Sequence, residues 1–158
     1  SSASGLWRRD GFEISTDPAR LQPLAIGAAL RETYWAQGRA QAVVENALRN
    51  SLCFGLYHAA AQIGLARVVT DRATFAYLCD VYVLSAYRSQ GLGKWLIATV
   101  REAPELQGIR RWMLATRDAH GLYRGFGFGP LAAPDRWMEV FDDRTDQSGS
   151  SKTEVLER

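Results

Sequence analysis

Between residues 51 and 84 the chain carries three consecutive β-type runs with short links: "SLCFGLY" (51–57), "QIGLARVVTD" (62–71) and "TFAYLCDVYVL" (74–84). β-branched and aromatic residues dominate them, and links this short allow only hairpins. The stretch predicts an antiparallel meander. The next segment breaks that pattern. "GLGKWLIATVRE" (91–102) places Leu92, Trp95, Leu96 and Val100 on one helical stripe, and "RRWMLAT" (110–116) again reads as a strand. A strand–helix–strand crossover makes the strands 74–84 and 110–116 parallel neighbours in an otherwise antiparallel sheet.

The flanking segments complete the layer. "GFEIST" (11–16) alternates as a short strand, and Asp17-Pro18 marks a turn. Pro23 suits the first turn of a helix whose apolar stripe is Ile26, Ala29 and Leu30. The stretch 31–39, with adjacent Tyr34 and Trp35, ends that helix in a loop; a second helix covers 40–49. A short helix at 118–126 and a last strand at 135–141 close the order β-αα-βββ-α-β-α-β. The expected class is α+β, a mixed central sheet of about six to seven strands with helices on both faces. At 158 residues and 47% hydrophobic the chain suits a single domain. We place it at 11–141, after a flexible N-terminal end (1–10) and before a polar tail (142–158) that reads as disordered.

Several classes of function are disfavoured. No apolar run approaches the length of a transmembrane helix, so no membrane partner is expected. The opening "SSASGLWRRD" has no signal-peptide core, which makes a cytoplasmic protein the expectation. Cys53 and Cys79 lie inside apolar runs and read as buried free thiols; with two histidines elsewhere, no metal site is expected. A net charge of +2 without a clustered basic face argues against nucleic acid.

The stretch with chemical content is "RSQGLGKW" (88–95), set between a strand and a helix. A helix N-terminus carries unpaired N–H groups and partial positive charge, so it attracts anions. Gly91 and Gly93 remove Cβ atoms where a phosphate would approach, and Arg88 and Lys94 add charge. The dinucleotide fingerprint fails because residue 96 is Leu, and the Walker loop fails because Trp95 follows Gly93-Lys94.

A third pattern fits. "VYVLSAYRSQGLG" resembles the acyl-CoA loop [RQ]-x-x-G-x-[GA] of the GNAT superfamily of N-acetyltransferases, through Arg88, Gly91 and Gly93. "ATRDAHGLYRGFGF" resembles that family's next unit, A-x-x-x-Y-x-x-x-G-F, through Ala119, Tyr123, Gly127 and Phe128. The resemblance implies acetyl-CoA as acyl-donor cosubstrate. The loop residues Arg88, Ser89, Gln90, Gly91, Leu92, Gly93 and Lys94 would hold its pyrophosphate, and Val81, Tyr82 and Val83 its pantetheine arm. Thr116 stands where many members have an Asn that bonds the same arm, Ser85 where many have Pro, and Ser89 where many have Gly.

The same resemblance places Tyr123 as the acid that protonates the leaving thiolate, in contact with the cofactor. Asp80, one residue before Val81, is the candidate base or substrate-cation ligand; pairing with a structural arginine such as Arg67 is the competing reading. Tyr34 and Trp35 suit the wall of an acceptor site, and Arg136 and Trp137 are candidates to border it. His120 shares a helix face with Tyr123 and suits a polar cap, while His58 reads as a hairpin residue. The implied activity is N-acetylation of a primary amine on a small molecule or peptide, and a homodimer is compatible with it. The competing function is a silent acyl-CoA-binding sensor or scaffold; a nucleotide-phosphate binder is the third.

Overall fold

The structure, a computed structural model, describes residues 4–142. Six strands form one sheet in the order β1-β2-β3-β4-β5-β6: β1 (Leu6–Arg9), β2 (Phe12–Ser15), β3 (Leu52–His58), β4 (Ala61–Thr70), β5 (Phe75–Val83) and β6 (Arg111–Met113). Each pair is antiparallel except β5 and β6, which run parallel through Phe75↔Arg111, Ala76↔Trp112 and Tyr77↔Met113. The helices are α1 (Pro23–Arg31), α2 (Gln41–Arg49), α3 (Leu92–Glu102) and α4 (His120–Arg124). This is the expected α+β layer with a mixed sheet.

Two buried clusters hold it together, one on each face. Ile26 and Leu30 of α1 and Val44 and Leu48 of α2 pack with Cys53, Leu65 and Tyr82. Leu92, Leu96 and Val100 of α3 pack with Phe54, Leu56, Val68, Ala76 and Leu78. The alternation buried–half-buried along β5 puts Ala76, Leu78, Asp80 and Tyr82 inward at successive buried positions. A bulge interrupts this strand. Leu65 faces Tyr82 and Arg67 faces Cys79, so Asp80 and Val81 together oppose Ala66, and Asp80 takes φ +50.

Two expectations are corrected. The N-terminal end is not wholly flexible: residues 6–9 form β1, joined to β2 by Asp10 (φ +50) and Gly11 (φ +84), a two-residue hairpin of the type Asp-Gly favours. The last strand at 135–141 does not form. Pro134–Arg136 make a 3-10 turn and residues 137–142 follow as irregular chain, because an alternating pattern becomes a strand only where a ladder partner stands beside it. Of the tail placed at 142–158, only residue 142 lies within the described residues.

Cys53, Arg67 and Cys79 are cross-strand neighbours on β3, β4 and β5. The two thiols therefore stand two strand spacings apart, about 9.6 Å, beyond disulfide reach. Burial pushes Cys53 up to about 12 and Cys79 to about 11.

Candidate functional site

Beyond Tyr77 the strand β5 runs on to Val83 while β6 ends at Met113, so the parallel pair opens into a wedge. The chain leaves β5 through a 3-10 turn at Ser85–Tyr87 and enters α3 through residues 88–91. Ser89 takes φ +66 and Gly91 φ +77, so the backbone passes twice through the left-handed region within this turn. Gly91 is the N-cap of α3 and no side chain caps that end; the first helical bond runs from the Trp95 N–H to the Gly91 carbonyl. The amides of Leu92, Gly93 and Lys94 thus have no helical acceptor. A Cβ on Gly91 would meet nothing within 4 Å, and one on Gly93 would meet only Val83 Cγ2 at 4.0 Å. An open concavity of amides at a helix N-terminus fits a pyrophosphate.

Around this turn the other expected residues divide. Arg88 folds back, its Nε donating to the Val83 carbonyl at 2.9 Å, which ties the turn to the strand end. Gln90 donates to the Tyr87 carbonyl at 3.2 Å, and Lys94 is exposed. The Tyr82 side chain is buried among α1 and α2, so only its backbone is left to a ligand; Val81 and Val83 are half-buried. The Thr116 hydroxyl accepts from the Ala119 N–H at 3.1 Å and so holds the entry to α4.

Asp80 is buried and fully engaged. Its Oδ2 accepts from Arg67 Nε at 2.8 Å and Arg39 Nη1 at 2.9 Å, and its Oδ1 from Arg39 Nη1 at 3.0 Å and the Trp35 indole at 2.9 Å. Burial acts to raise its pKa, but the charges of Arg67 and Arg39 and the hydrogen bonds outweigh it and hold the carboxyl below its ordinary range. A carboxylate so held is a weak proton acceptor. The ion pair with Arg67 is present, and the base assigned to Asp80 has no free lone pair directed at a substrate.

The loop between α1 and α2 spans the wedge. Trp35 anchors it on β5 through Asp80, and the Tyr34 hydroxyl accepts from the Arg117 N–H, beyond β6, at 3.1 Å. The Arg117 guanidinium lies 3.7 Å from the Tyr34 ring centroid, and the Tyr34 and Trp35 rings meet edge-on at 5.0 Å. Arg39 and Arg117 carry this arrangement, and neither stands out in the sequence, because their partners lie 41 and 83 residues away.

Tyr123 sits on α4, half-buried against the α3-side cluster, with its ring 5.9 Å from Phe128. Its carbonyl accepts from the amides of Phe126 and Phe128, a reversal that Gly127 permits at φ +94. Arg101 of α3 packs on Trp112 at 4.8 Å and Phe128 at 5.7 Å and donates to the Phe126 carbonyl, fixing the end of α4 to β6. Burial raises the Tyr123 pKa, and the neighbouring Tyr34 adds to the shift. The phenol therefore stays protonated at neutral pH.

Arg136 and Trp137 lie elsewhere. They line a cavity of about 540 Å³ beside Arg110–Met113 of β6, apart from Tyr34 and Trp35. His120 is an exposed residue at the start of α4, and His58 Nδ1 meets the Tyr87 hydroxyl at 3.2 Å. Among the described residues there is no cluster of three metal-ligating side chains and no helix long and apolar enough to cross a membrane.

Comparison with known proteins bears on the wedge. The acetyltransferase (GNAT) domain family matches residues 49–130, from the end of α2 past α4. A curated acetyltransferase from Gibberella zeae is 39% identical over 140 residues, covering 74% of this chain and 78% of that protein. The crystal structure of a GNAT-family acetyltransferase from Xanthomonas campestris superposes with a TM-score of 0.81 at 44% identity, covering 83% of this chain and 93% of the other. An acetyltransferase from Clostridium acetobutylicum, solved with acetyl-CoA, shares the fold at TM-score 0.59 and 12% identity, over 82% and 94% of the two chains. The opened parallel pair, the glycine turn and the tyrosine helix all fall inside the matched region, and the chain belongs to the GNAT family of acetyltransferases.

Proposed function

We propose that the chain transfers an acetyl group from acetyl-CoA to a primary amine of a small molecule or peptide. The observation that carries this reading is the uncapped N-terminus of α3, set at the end of a strand whose outer edge is unpaired beyond Tyr77. The amides of residues 89–94 would receive the pyrophosphate, and the free edge of β5 at Val81–Val83 would receive the pantetheine amides. The donor supplies an activated acyl carbonyl. An amine arriving past Tyr34 and Trp35 forms the C–N bond as the C–S bond breaks. The amine proton passes to water, and Tyr123 gives its phenolic proton to the departing sulfur. Asp80 acts at one remove: it holds Trp35, and with it the acceptor loop, against β5. The Clostridium relative solved with acetyl-CoA supports the choice of donor.

The test is thiol release on mixing the protein and acetyl-CoA with a panel of amines, read beside a direct CoA titration. Turnover with at least one amine is expected. CoA binding without turnover of any amine would replace the enzyme by a sensor, and absence of CoA binding would remove the reading altogether.

A further inference from the structure

Asp80 cannot hold the ammonium form of an acceptor, because Arg67, Arg39 and Trp35 take up its oxygens. A guanidinium stands on the other side of the wedge. Arg117 follows Thr116 on the chain from β6 to α4, and its backbone N–H donates to the Tyr34 hydroxyl at 3.1 Å. Its guanidinium stacks on the Tyr34 ring, 3.7 Å from the centroid. Tyr34 in turn neighbours Tyr123. An aromatic face thus fixes a cation between the acceptor loop and the helix that carries the proton donor. Stacking uses the face of a guanidinium and leaves its edges, where the five N–H groups point. Among the described residues none of these N–H groups makes a hydrogen bond. Asp118 Oδ2 lies 3.9 Å from Nη2, beyond hydrogen-bond length, and the two side chains are 65% and 68% exposed. A pair so loose and wet holds little. By contrast, Arg39 and Arg67 donate to Asp80, Arg88 to the Val83 carbonyl and Arg101 to the Phe126 carbonyl.

Resting on the acetyl-transfer reading above, we propose that the amine acceptor also carries an oxyanion, a carboxylate or a phosphate, which Arg117 receives on its open edge. The planar fork suits two oxygens of one group, and the stack on Tyr34 orients it before the acceptor arrives. A plain cationic amine gains nothing from this guanidinium, whereas an acceptor with both charges is drawn in by its anion. The same contact helps the nucleophile. An anion beside an ammonium holds the proton on it, and a guanidinium that neutralises the anion lets the proton go. The free amine then attacks without a side-chain base, which the engaged Asp80 does not supply.

Matched acceptors test this with acetyl-CoA: β-alanine against β-alaninamide, and phosphoethanolamine against ethanolamine. The oxyanion member of a pair should be favoured about tenfold or more in kcat/KM, through KM, and the two pairs tell carboxylate from phosphate. Arg117→Gln keeps the backbone N–H to Tyr34, and in it that ratio should fall toward one; Arg117→Lys should restore part of it. Calorimetric titration of the two N-acetylated oxyanion products into wild type and Arg117→Gln, with and without CoA, reads the subsite apart from turnover. Binding to wild type that weakens about tenfold in Arg117→Gln is expected. Equal use of neutral and anionic members, a ratio unchanged in Arg117→Gln, or equal product affinity in both proteins overturns the subsite while acetyl transfer stands. CoA binding with no amine turned over removes the transfer reading instead. The titration then decides the subsite alone, and absence of product binding overturns it.

Discussion

Asp80→Asn separates a structural carboxylate from a catalytic one. Asparagine tolerates the φ of +50 at this bulge and keeps one oxygen, which can still accept from the Trp35 indole. The amide nitrogen would replace Oδ2 and face two donors, Arg67 Nε at 2.8 Å and Arg39 Nη1 at 2.9 Å. Breaking a buried pair from one side costs about 3–5 kcal/mol. The Arg39 and Arg67 side chains keep 14% and 15% of their surface, so partial rehydration puts the expected loss at the low end, about 3 kcal/mol. For a domain of this size that is a fall in Tm of roughly 6–12 °C at neutral pH. The sign with pH follows from the lowered pKa of Asp80. A depressed carboxyl contributes stability above its unfolded pKa of about 3.9 and loses it as pH falls through the folded value. The gap between variant and wild type should therefore narrow below about pH 4. With the acceptor loop loosened, KM for the amine should rise while kcat stays within a few-fold. Scanning calorimetry from pH 3 to 8 and steady-state kinetics measure both. A Tm within about 2 °C of wild type would refute the ion-pair argument. A kcat collapse of about a hundredfold with the fold intact would return Asp80 to the chemistry.

The other expectations address the turn, the acid and the thiols. Tyr123→Phe keeps the ring contact with Phe128 and removes the proton donor; kcat should fall roughly 10²–10⁴-fold at saturating acetyl-CoA with CoA affinity unchanged, and unchanged turnover would assign the proton to solvent. Because the Tyr123 pKa is raised, the acid stays loaded through the alkaline range, so kcat/KM should climb with amine deprotonation and show no descending limb below about pH 10. Gly91→Asp puts a carboxylate and a Cβ at φ +77 beside the pyrophosphate site, and calorimetric titration should show CoA binding at least tenfold weaker; equal affinity would move the phosphates elsewhere. With thiol pKa values of about 12 and 11, Cys53 and Cys79 should label at pH 8 on the order of a hundredfold or more slower in the native protein than after denaturation, and prompt native labelling would contradict their burial.

The frame from residue 51 to 116 is legible because hydrophobic pattern and link length there leave few topologies, and the crossover through α3 dictates the parallel pair. The ends are less so. β1 reads "LWRR", three of its four residues are exposed, and its one clear signal is Asp10-Gly11 rather than its own pattern. At 135–141 the pattern is strand-like but the ladder is missing, and periodicity carries no information about a partner. Within the site, the glycine turn and Tyr123 are visible as motifs, since each needs a local backbone shape. The Asp80 network is not: it joins Trp35 and Arg39 of the α1–α2 loop with Arg67 of β4, and only the folded sheet brings them to one carboxylate. Ser89 at φ +66 is equally silent, because serine in that conformation leaves no trace in composition.

The short parallel pair has a consequence for how the molecule comes apart. β3 and β4 share seven register pairs within one hairpin, whereas β6 is tied to β5 by three pairs across a helix-length crossover. Closing that crossover is the larger entropic step for the smaller return, so the meander should assemble first and the β6–α4 unit dock late. Native-state exchange should accordingly find β6 and α4 opening together, well below the global unfolding free energy. The wedge lies on the seam between these two units. A ligand seated there would clamp the weaker to the stronger, by about 2.7 kcal/mol at a hundred times its dissociation constant, and the late-docking half of the sheet would gain most of the protection.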